Sequence, residues 1–371
     1  MNVAIVGYSY KVKSIIDVID AKEVDNVFIK YVYLTSKEEV DKYDYFKQIV
    51  VKDYNKIIDD INVDTVMVFA NDCKAYEYIK YALTAGKNVI TSDPNIYKYY
   101  LELLRIASEN NVYLLIDSAV NINFPVTNLL DTNLLGKISR IYSLLDYKSG
   151  LIIQHMINGK LSLEEATLQV LGPDSNVKEE RINELAILAT IAFNSKIDES
   201  KIHYRGLEGL DLEYLNVINV LGYRLRLEST ALFHDGDIEL VIEPVLHKND
   251  EQLYYLDYSG AQALRVYAAD AGCNTYCTKN SMLSFKSVIK ANINTIKLGF
   301  NHKINIKNNY TCYGNERLFS QYILKASYLE PSLVDKKIGD IYITKPISGA
   351  KLNNLGEKIT FYARIDKHFA K

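Results

Sequence analysis

Residues 1–20 read MNVAIVGYSYKVKSIIDVID, and this stretch decides the fold of the first part of the chain. An apolar run, Val3–Val6, is followed by Gly7 and then by an amphipathic segment. A buried strand, a glycine turn and a helix in this order are typical of the start of a dinucleotide-binding domain. The glycine fingerprint of such domains, G-x-G-x-x-G, keeps only its first glycine here, because Ser9 and Val12 occupy the other two positions.

The altered loop leaves two interpretations open. In the first, it is a modified cofactor site, because Ser9 is small enough to admit a phosphate and a helix N-terminus favours an anion. That site would be formed by Gly7, Tyr8, Ser9, Tyr10 and Lys11. In the second interpretation the pocket has closed, and Tyr8 or Tyr10 fills it.

The alternation of short apolar strands with helical patterns continues through residues 1–127. Helical periodicity covers Lys74–Thr84 and Tyr97–Glu109, and Gly86 supplies a helix stop before the next strand. Such alternation predicts a doubly wound parallel sheet. The predicted strands are Asn2–Val6, Val27–Leu34, Gln48–Val50, Thr65–Phe69, Asn88–Thr91 and Tyr113–Asp117.

Residues 128–272 have a different pattern, which predicts a second, α+β domain. A capping box from Ser162 to Glu165 opens one helix, and long strand-like segments follow. Residues 278–300 carry another helical pattern. If Cys273 and Cys277, four residues apart, lie on a helix, they could bind a metal or form a redox pair, but no C-x-x-C pair or nearby histidine supports this, so buried small side chains are favoured. Residues 301–371 form a β-rich C-terminal extension of unknown role. The predicted fold class is therefore α/β, with a Rossmann-type first domain.

The composition excludes several classes of protein. The chain has 371 residues and a net charge of −3, so no basic excess indicates nucleic-acid binding. No apolar stretch approaches the roughly 20 residues of a membrane span, and the N-terminus does not resemble a signal peptide. Four unevenly spaced cysteines do not form a disulfide framework, and no motif has metal-ligand spacing. We expect a cytoplasmic protein that binds a small-molecule substrate and no metal.

The loop after the second predicted strand bears on the choice of cofactor. An acidic residue at that position would bind the adenine ribose hydroxyls and favour NAD. Thr35, Ser36 and Lys37 stand there instead. If a cofactor binds, these residues would favour NADP over NAD.

Several phrases in one order resemble the homoserine dehydrogenase family. They are "YIKYALTAGKNVIT", "LLIDSAVNINFPV", "GKLSLEEA", "ELAILATIAFN", "GLEGLDLEYLNVINVLGYRLRL", "IEPVL" and "YAADAG", which together span roughly residues 1–295. The resemblance implies a Rossmann domain, a substrate and dimerisation domain, and a helix, residues 273–300, that returns to the first domain. It further implies a homodimer and NAD(P)H-dependent reduction of aspartate 4-semialdehyde to homoserine.

The same resemblance implies where the site residues lie. The positions of the two family lysines hold Pro94 and Glu184, whereas Glu180 keeps the family's carboxylate. Lys148 is the one candidate to replace the lost cations at the substrate oxygen, so Glu180 and Lys148 are the candidate catalytic residues. The candidate substrate-binding residues are Asp146, Asp174 and Glu184. The resemblance adds to the cofactor-binding set Ala70, Asn71, Ser92, Asp93 and Gly272.

Each candidate also has a structural interpretation, so three functions stay open. Glu180 and Glu184, four residues apart on one helix face, could form an acid/base pair or a solvated face. Lys148 could be an exposed turn lysine. The protein is thus predicted to be an NADP-dependent dehydrogenase, a non-catalytic paralogue that serves as a binding or regulatory subunit, or a related scaffold with changed chemistry.

Overall fold

The computed structural model describes most of the chain, and it divides into two compact units. Unit 1 contains Met1–Asn133 and Ser281–Lys307, and unit 2 contains Leu134–Asn280 and Asn308–Lys371. The described residues are 1–7, 12, 15–16, 18–19, 21–34, 49–70, 74–91, 94–116, 130, 137–144, 147–172, 177–249, 262–268, 272–278, 281–299, 306 and 308–366.

Unit 1 contains the predicted doubly wound parallel sheet. Its strand order within the described residues is β3-β2-β1-β4-β5-β6, and every neighbouring pair is parallel. This is the order of the Rossmann fold, in which the order of the strands reverses between β1 and β4. The strands are β1 (Asn2–Val6), β2 (Phe28–Tyr33), β3 (Val50–Val51), β4 (Thr65–Val68), β5 (Asn88–Thr91) and β6 (Leu114–Leu115).

The helices of unit 1 cover a sheet that is apolar on both faces. Val3, Ala4, Ile5 and Val6 of β1 are all fully buried, as expected for a strand inside a parallel sheet. Between the strands, the helices whose bounds lie within the described residues are α1 (Asn55–Ile58), α2 (Ala75–Thr84) and α3 (Tyr100–Glu109), and a 3₁₀ turn spans Pro94–Tyr99.

Unit 2 contains a large mixed sheet. Within the described residues its main path is β12-β11-β7-β9-β10-β19-β15-β17-β16, and short strands β8 and β13 pair with β10. The strands are β7 (Ile138–Leu144), β8 (His203–Tyr204), β9 (Tyr223–His234), β10 (Asp237–Lys248), β11 (Gln262–Ala268), β12 (Gly272–Thr278), β13 (Thr311–Tyr313), β14 (Phe319–Ser320), β15 (Tyr322–Ala326), β16 (Val334–Ile338), β17 (Ile341–Thr344), β18 (Ile347–Ser348) and β19 (Ile359–Ile365).

Helices of unit 2 pack on one face of this sheet. The shared core joins Met156, Ala166 and Ile218 of the helices to Leu225 and Phe361 of the strands. The helices are α4 (Tyr147–Gly159), α5 (Leu163–Leu171), α6 (Val177–Phe193) and α7 (Leu212–Val220). The predicted capping box is confirmed, because the Ser162 side chain accepts from the Glu165 amide and the Glu165 carboxylate accepts from the Ser162 amide.

The prediction that residues 273–300 are helical throughout is wrong at its start. Cys273 and Cys277 lie on strand β12, which pairs antiparallel with β11 over seven residues. Threonine and tyrosine, which favour strands, supply three of its seven residues. Helix α8 (Ser281–Leu298) follows and belongs to unit 1, where Ile289 and Ile293 enter the core beneath β1.

The C-terminal residues are β-rich, and their strands complete the sheet of unit 2. Strand β19 lies between β10 and β15, parallel to the first and antiparallel to the second. Glu228 and Glu243 face each other across the β9–β10 pair and are buried. Arg364 of β19 donates to both, from Nε to Glu243 Oε1 at 2.6 Å and from Nη2 to Glu228 Oε1 at 3.0 Å. The C-terminal strand therefore neutralises charges buried in the centre of the sheet.

Strand β19 also contacts a glycine in the turn that precedes α7. Gly209 has a φ of +85°, and a Cβ at this position would lie 2.2 Å from the carbonyl oxygen of Thr360. Gly222, just after α7, has a φ of +78° but open space around it. The two glycines share a backbone conformation and differ in packing.

Replacing Gly209 with alanine is expected to destabilise unit 2 more than replacing Gly222. Both substitutions incur backbone strain of about 1–2 kcal/mol, and Gly209→Ala adds a steric clash that costs roughly 1–3 kcal/mol more. Urea unfolding of the two variants measures the difference. Equal losses of unfolding free energy would mean that Thr360 does not pack against Gly209.

Candidate functional site

The turn after β1 retains the geometry of a nucleotide-binding turn. Gly7 has a φ of +79°, and its amide donates to the Tyr33 carbonyl at 2.9 Å. A Cβ on Gly7 would lie 2.6 Å from the backbone nitrogen of Ala70, so only glycine fits. This is the role of the first fingerprint glycine, and two predicted cofactor-binding residues, Gly7 and Ala70, lie in backbone contact.

The residue at the third fingerprint position, Val12, is part of the hydrophobic core. Val12 is helical and fully buried, and it belongs to the cluster that contains Ile5, Phe69 and Ile289. A glycine there normally allows close packing of helix on strand. In this chain the valine side chain fills that space as an ordinary core residue.

Most other predicted cofactor residues lie outside the described residues. The remaining one, Gly272, begins β12 opposite Ala268, and Pro94, which occupies the position of a family lysine, begins the 3₁₀ turn after β5. The residues outside the described part are Tyr8, Ser9, Tyr10, Lys11, Thr35, Ser36, Lys37, Asn71, Ser92 and Asp93.

In unit 2 the two candidate catalytic residues meet. Lys148 lies in the first turn of α4 and Glu180 in the first turn of α6, where a carboxylate interacts favourably with the helix dipole. Lys148 Nζ lies 3.3 Å from Glu180 Oε2, and the two side chains are 28% and 31% exposed. The pair is therefore formed, oriented and still accessible to a ligand.

Glu184, one turn further along α6, has a different environment. Its Oε2 accepts from Arg181 Nη1 at 2.5 Å, and the two side chains are 4% and 2% exposed. The helix thus gives Glu180 and Glu184 separate cationic partners instead of joining them as a carboxylate pair. Arg181 was not predicted as part of the site, although its spacing of three residues from Glu184 is a helical ion-pair signal.

A cavity of about 450 Å³ opens beside Lys148 within unit 2. Helix α5 forms one wall, and Gly172, which ends α5 with a φ of +72°, lies at its edge. The lining residues are Lys148, Ser149, Ile152, Leu163, Glu164, Thr167, Leu168, Leu171, Gly172, Val177, Tyr204, Gly206, Leu207, Glu208 and Leu227. Sequence reasoning identified only Lys148 of this set, because all the others except Ser149 and Ile152 come from four further segments of the chain.

Two predicted substrate-binding residues, Asp146 and Asp174, lie outside the described residues. Across the described part of the chain, no group of three or more His, Cys, Asp or Glu side chains is arranged to hold a metal ion. The described helices also include none with the length and apolarity needed to cross a membrane.

Comparison of the sequence with known proteins finds relatives that match part of the chain. No protein-family profile matches the chain. A homoserine dehydrogenase of Pyrococcus horikoshii is 30% identical over 164 residues, 43% of this chain and 48% of that protein. One of Neisseria gonorrhoeae is 25% identical over 243 residues, 61% of this chain and 54% of that protein. The chain spans about half the length of the curated relatives it matches.

Solved structures extend the likeness to the fold of nearly the whole chain. A homoserine dehydrogenase from Thiobacillus denitrificans matches with a TM-score of 0.83 at 16% identity, covering 99% of this chain and 98% of that one. A hyperthermophilic archaeal homoserine dehydrogenase mutant in complex with NADPH matches with a TM-score of 0.64 at 18% identity, covering 81% and 98%. At these identities the structural matches show the fold.

The parallel six-stranded unit, its glycine turn and the mixed sheet of unit 2 define a Rossmann-type protein with a second α+β unit. Its relatives in sequence and in fold carry one name. The chain is similar to homoserine dehydrogenases in sequence over part of its length and in fold over nearly all of it.

The two ion pairs of α6 are expected to differ in their contribution to stability. Arg181→Met leaves the Glu184 carboxylate buried without its cation, which typically costs about 3–5 kcal/mol. Lys148→Met breaks a pair that is about a third exposed, and we expect it to lower the free energy of unfolding by less than about 1 kcal/mol. Denaturant unfolding of both variants tests this, and a large loss for Lys148→Met would show that the pair is structural.

Proposed function

We propose that the protein is an NADP-dependent oxidoreductase of the homoserine dehydrogenase type. Its substrate is aspartate 4-semialdehyde, with homoserine as the product, or a related small amino acid. The observation that carries this proposal is the accessible Lys148–Glu180 ion pair, 3.3 Å apart, beside a cavity of ligand size. The names of its relatives support the reaction type.

The cofactor site would lie at the carboxyl edge of the unit 1 sheet. The Gly7 turn fits a dinucleotide, because its positive φ and its contact with Ala70 leave no room for a side chain. Tyr8–Lys11 would hold the pyrophosphate, and Thr35, Ser36 and Lys37 would hold the 2′-phosphate that distinguishes NADP from NAD. When bound, the reduced nicotinamide supplies the hydride, and one related structure is described as a complex with NADPH.

Lys148 would act at the oxygen of the substrate. Negative charge develops on that oxygen as the carbonyl is reduced, and a positioned ammonium stabilises the charge and can donate the proton. Glu180 would hold Lys148 in position through the ion pair. This arrangement replaces the two family lysines, whose positions hold Pro94 and Glu184.

The amino-acid end of the substrate would be held by residues near the first turns of α4 and α6. Asp146 precedes α4 and Asp174 precedes α6 in the chain, and on the family resemblance we assign both to the substrate ammonium group. Glu184 would contribute by fixing Arg181 and the α6 backbone, because its carboxylate is buried and already paired. We further propose a cytoplasmic homodimer, as the family resemblance implies.

A second function is favoured by two specific observations. Val12 is buried where the family fingerprint has glycine, and Glu184 is locked to Arg181 where the family has a lysine. Both features are what a non-catalytic paralogue with a binding or regulatory role would retain. In that case the Lys148–Glu180 pair would hold a ligand without turning it over.

The first test is a titration of the full chain with NADPH and, separately, with NADH. We expect micromolar binding of NADPH with quenching of its fluorescence, and weaker binding of NADH because Thr35, Ser36 and Lys37 stand where an acidic residue would favour NAD. Calorimetry provides the second readout. Absence of binding at millimolar cofactor would exclude the dehydrogenase function and favour the paralogue.

Lys148→Met is expected to lower kcat for the semialdehyde by about 10²–10⁴-fold, because proton transfer and charge stabilisation at the oxygen are lost. NADPH affinity should stay unchanged. Steady-state kinetics with Lys201→Met, an exposed lysine outside the cavity lining, provides the matched control. Unchanged kcat in Lys148→Met would remove this lysine from the mechanism.

A further inference from the structure

The cavity beside Lys148 is larger and more apolar than homoserine requires. Seven of its fifteen lining residues are leucine, isoleucine or valine. Its volume of about 450 Å³ lies in the range, about 300–1,000 Å³, that encloses drug-sized ligands. A four-carbon amino acid would leave much of this volume as water against aliphatic walls, which is unfavourable.

The charged groups at the cavity are arranged asymmetrically. Lys148 is paired with Glu180, so its positive charge is already balanced. Glu164 and Glu208 add two carboxylates to the lining, and the Glu208 carboxylate folds back over the Cα of Gly206. A ligand that brings a carboxylate, besides its α-carboxylate, into this cavity would meet net negative charge. A ligand that brings an apolar group would meet aliphatic side chains.

We infer that the substrate carries an apolar alkyl group on the carbon that bears its reacting oxygen. This rests on the proposed function, because Lys148 marks the position of that oxygen and the cavity begins at Lys148. The substrate class is then a 4-hydroxy amino acid with an alkyl substituent at C4, and its oxidised form is a 4-keto amino acid. In the oxidation, the C4 hydride passes to the oxidised nicotinamide, the hydroxyl proton leaves to solvent, and the carbonyl double bond forms.

The probes are homoserine and its C4-methyl, C4-ethyl and C4-propyl derivatives, titrated calorimetrically into the full-length chain. Each added methylene that leaves water for the cavity should tighten binding about fourfold. A protein whose pocket fits homoserine alone would instead bind the substituted compounds more weakly. A flat or falling series overturns the inference.

Variants of the cavity locate the effect. Thr167→Trp places a large side chain in the cavity and should abolish the gain along the series, whereas Val220→Trp on exposed α7 should preserve it. Should Thr167→Trp fail to fold, Leu168→Asn serves instead, because Leu168 is 60% exposed and lines the cavity. A chain-length gain that survives both cavity variants would also overturn the assignment.

Failure of this inference is distinguishable from failure of the proposed function. NADPH binding together with turnover of homoserine and a falling series would leave the dehydrogenase function intact and refute the alkyl pocket. A rising series in a protein that binds no NADPH would refute the dehydrogenase function, and the assignment to a substrate with it. A rising series with a parallel rise in kcat/KM supports both.

Discussion

Arg364 is the cation on which the second unit of this protein depends. Glu228 and Glu243 lie directly opposite each other on neighbouring strands, and both are removed from water. Like charges in that position repel, and burial raises the pKa of the Glu243 carboxyl while Arg364 opposes the rise. Arg364 is itself buried, which disfavours its charge, but the two carboxylates outweigh burial and raise its pKa. The pairing of β9 with β10 is thus tied to a strand from the end of the chain.

This constraint explains why the C-terminal residues belong to the core. Asp366, which follows β19, pairs with buried His247 at 3.1 Å, so Arg364 and Asp366 each pair with a polar side chain of β10. On the opposite face, Phe361, Ala363 and Ile365 complete the apolar core beneath α4, α5 and α7. A sheet fixed in this way is a rigid support for the helices that carry Lys148 and the cavity wall.

Helix α6 carries two ion pairs, one partly exposed and one buried. Glu180 lies in its first turn, where its carboxylate meets Lys148 at about a third of full exposure. Glu184 lies one turn further along the helix and forms a buried ion pair with Arg181. Only the outer pair can exchange its partner for a ligand without leaving a charge buried. The charge reversal at Glu184, the family lysine position, is therefore stabilised locally, and the outer pair is the one that we propose to act on the substrate.

The sequence by itself determined the parallel sheet of unit 1, the glycine turn at Gly7 and the capping box at Ser162, because each is encoded within a few adjacent residues. The sequence also contains the hairpin signal Asp235-Gly236. Both residues have positive φ values, and together they form the turn that joins β9 to β10. Only the tertiary structure decided that Lys148 meets Glu180, that Arg181 seals Glu184 and that β19 enters the middle of a sheet. Those contacts join side chains through packing and charge, and periodicity along the chain does not record which partner a side chain will find.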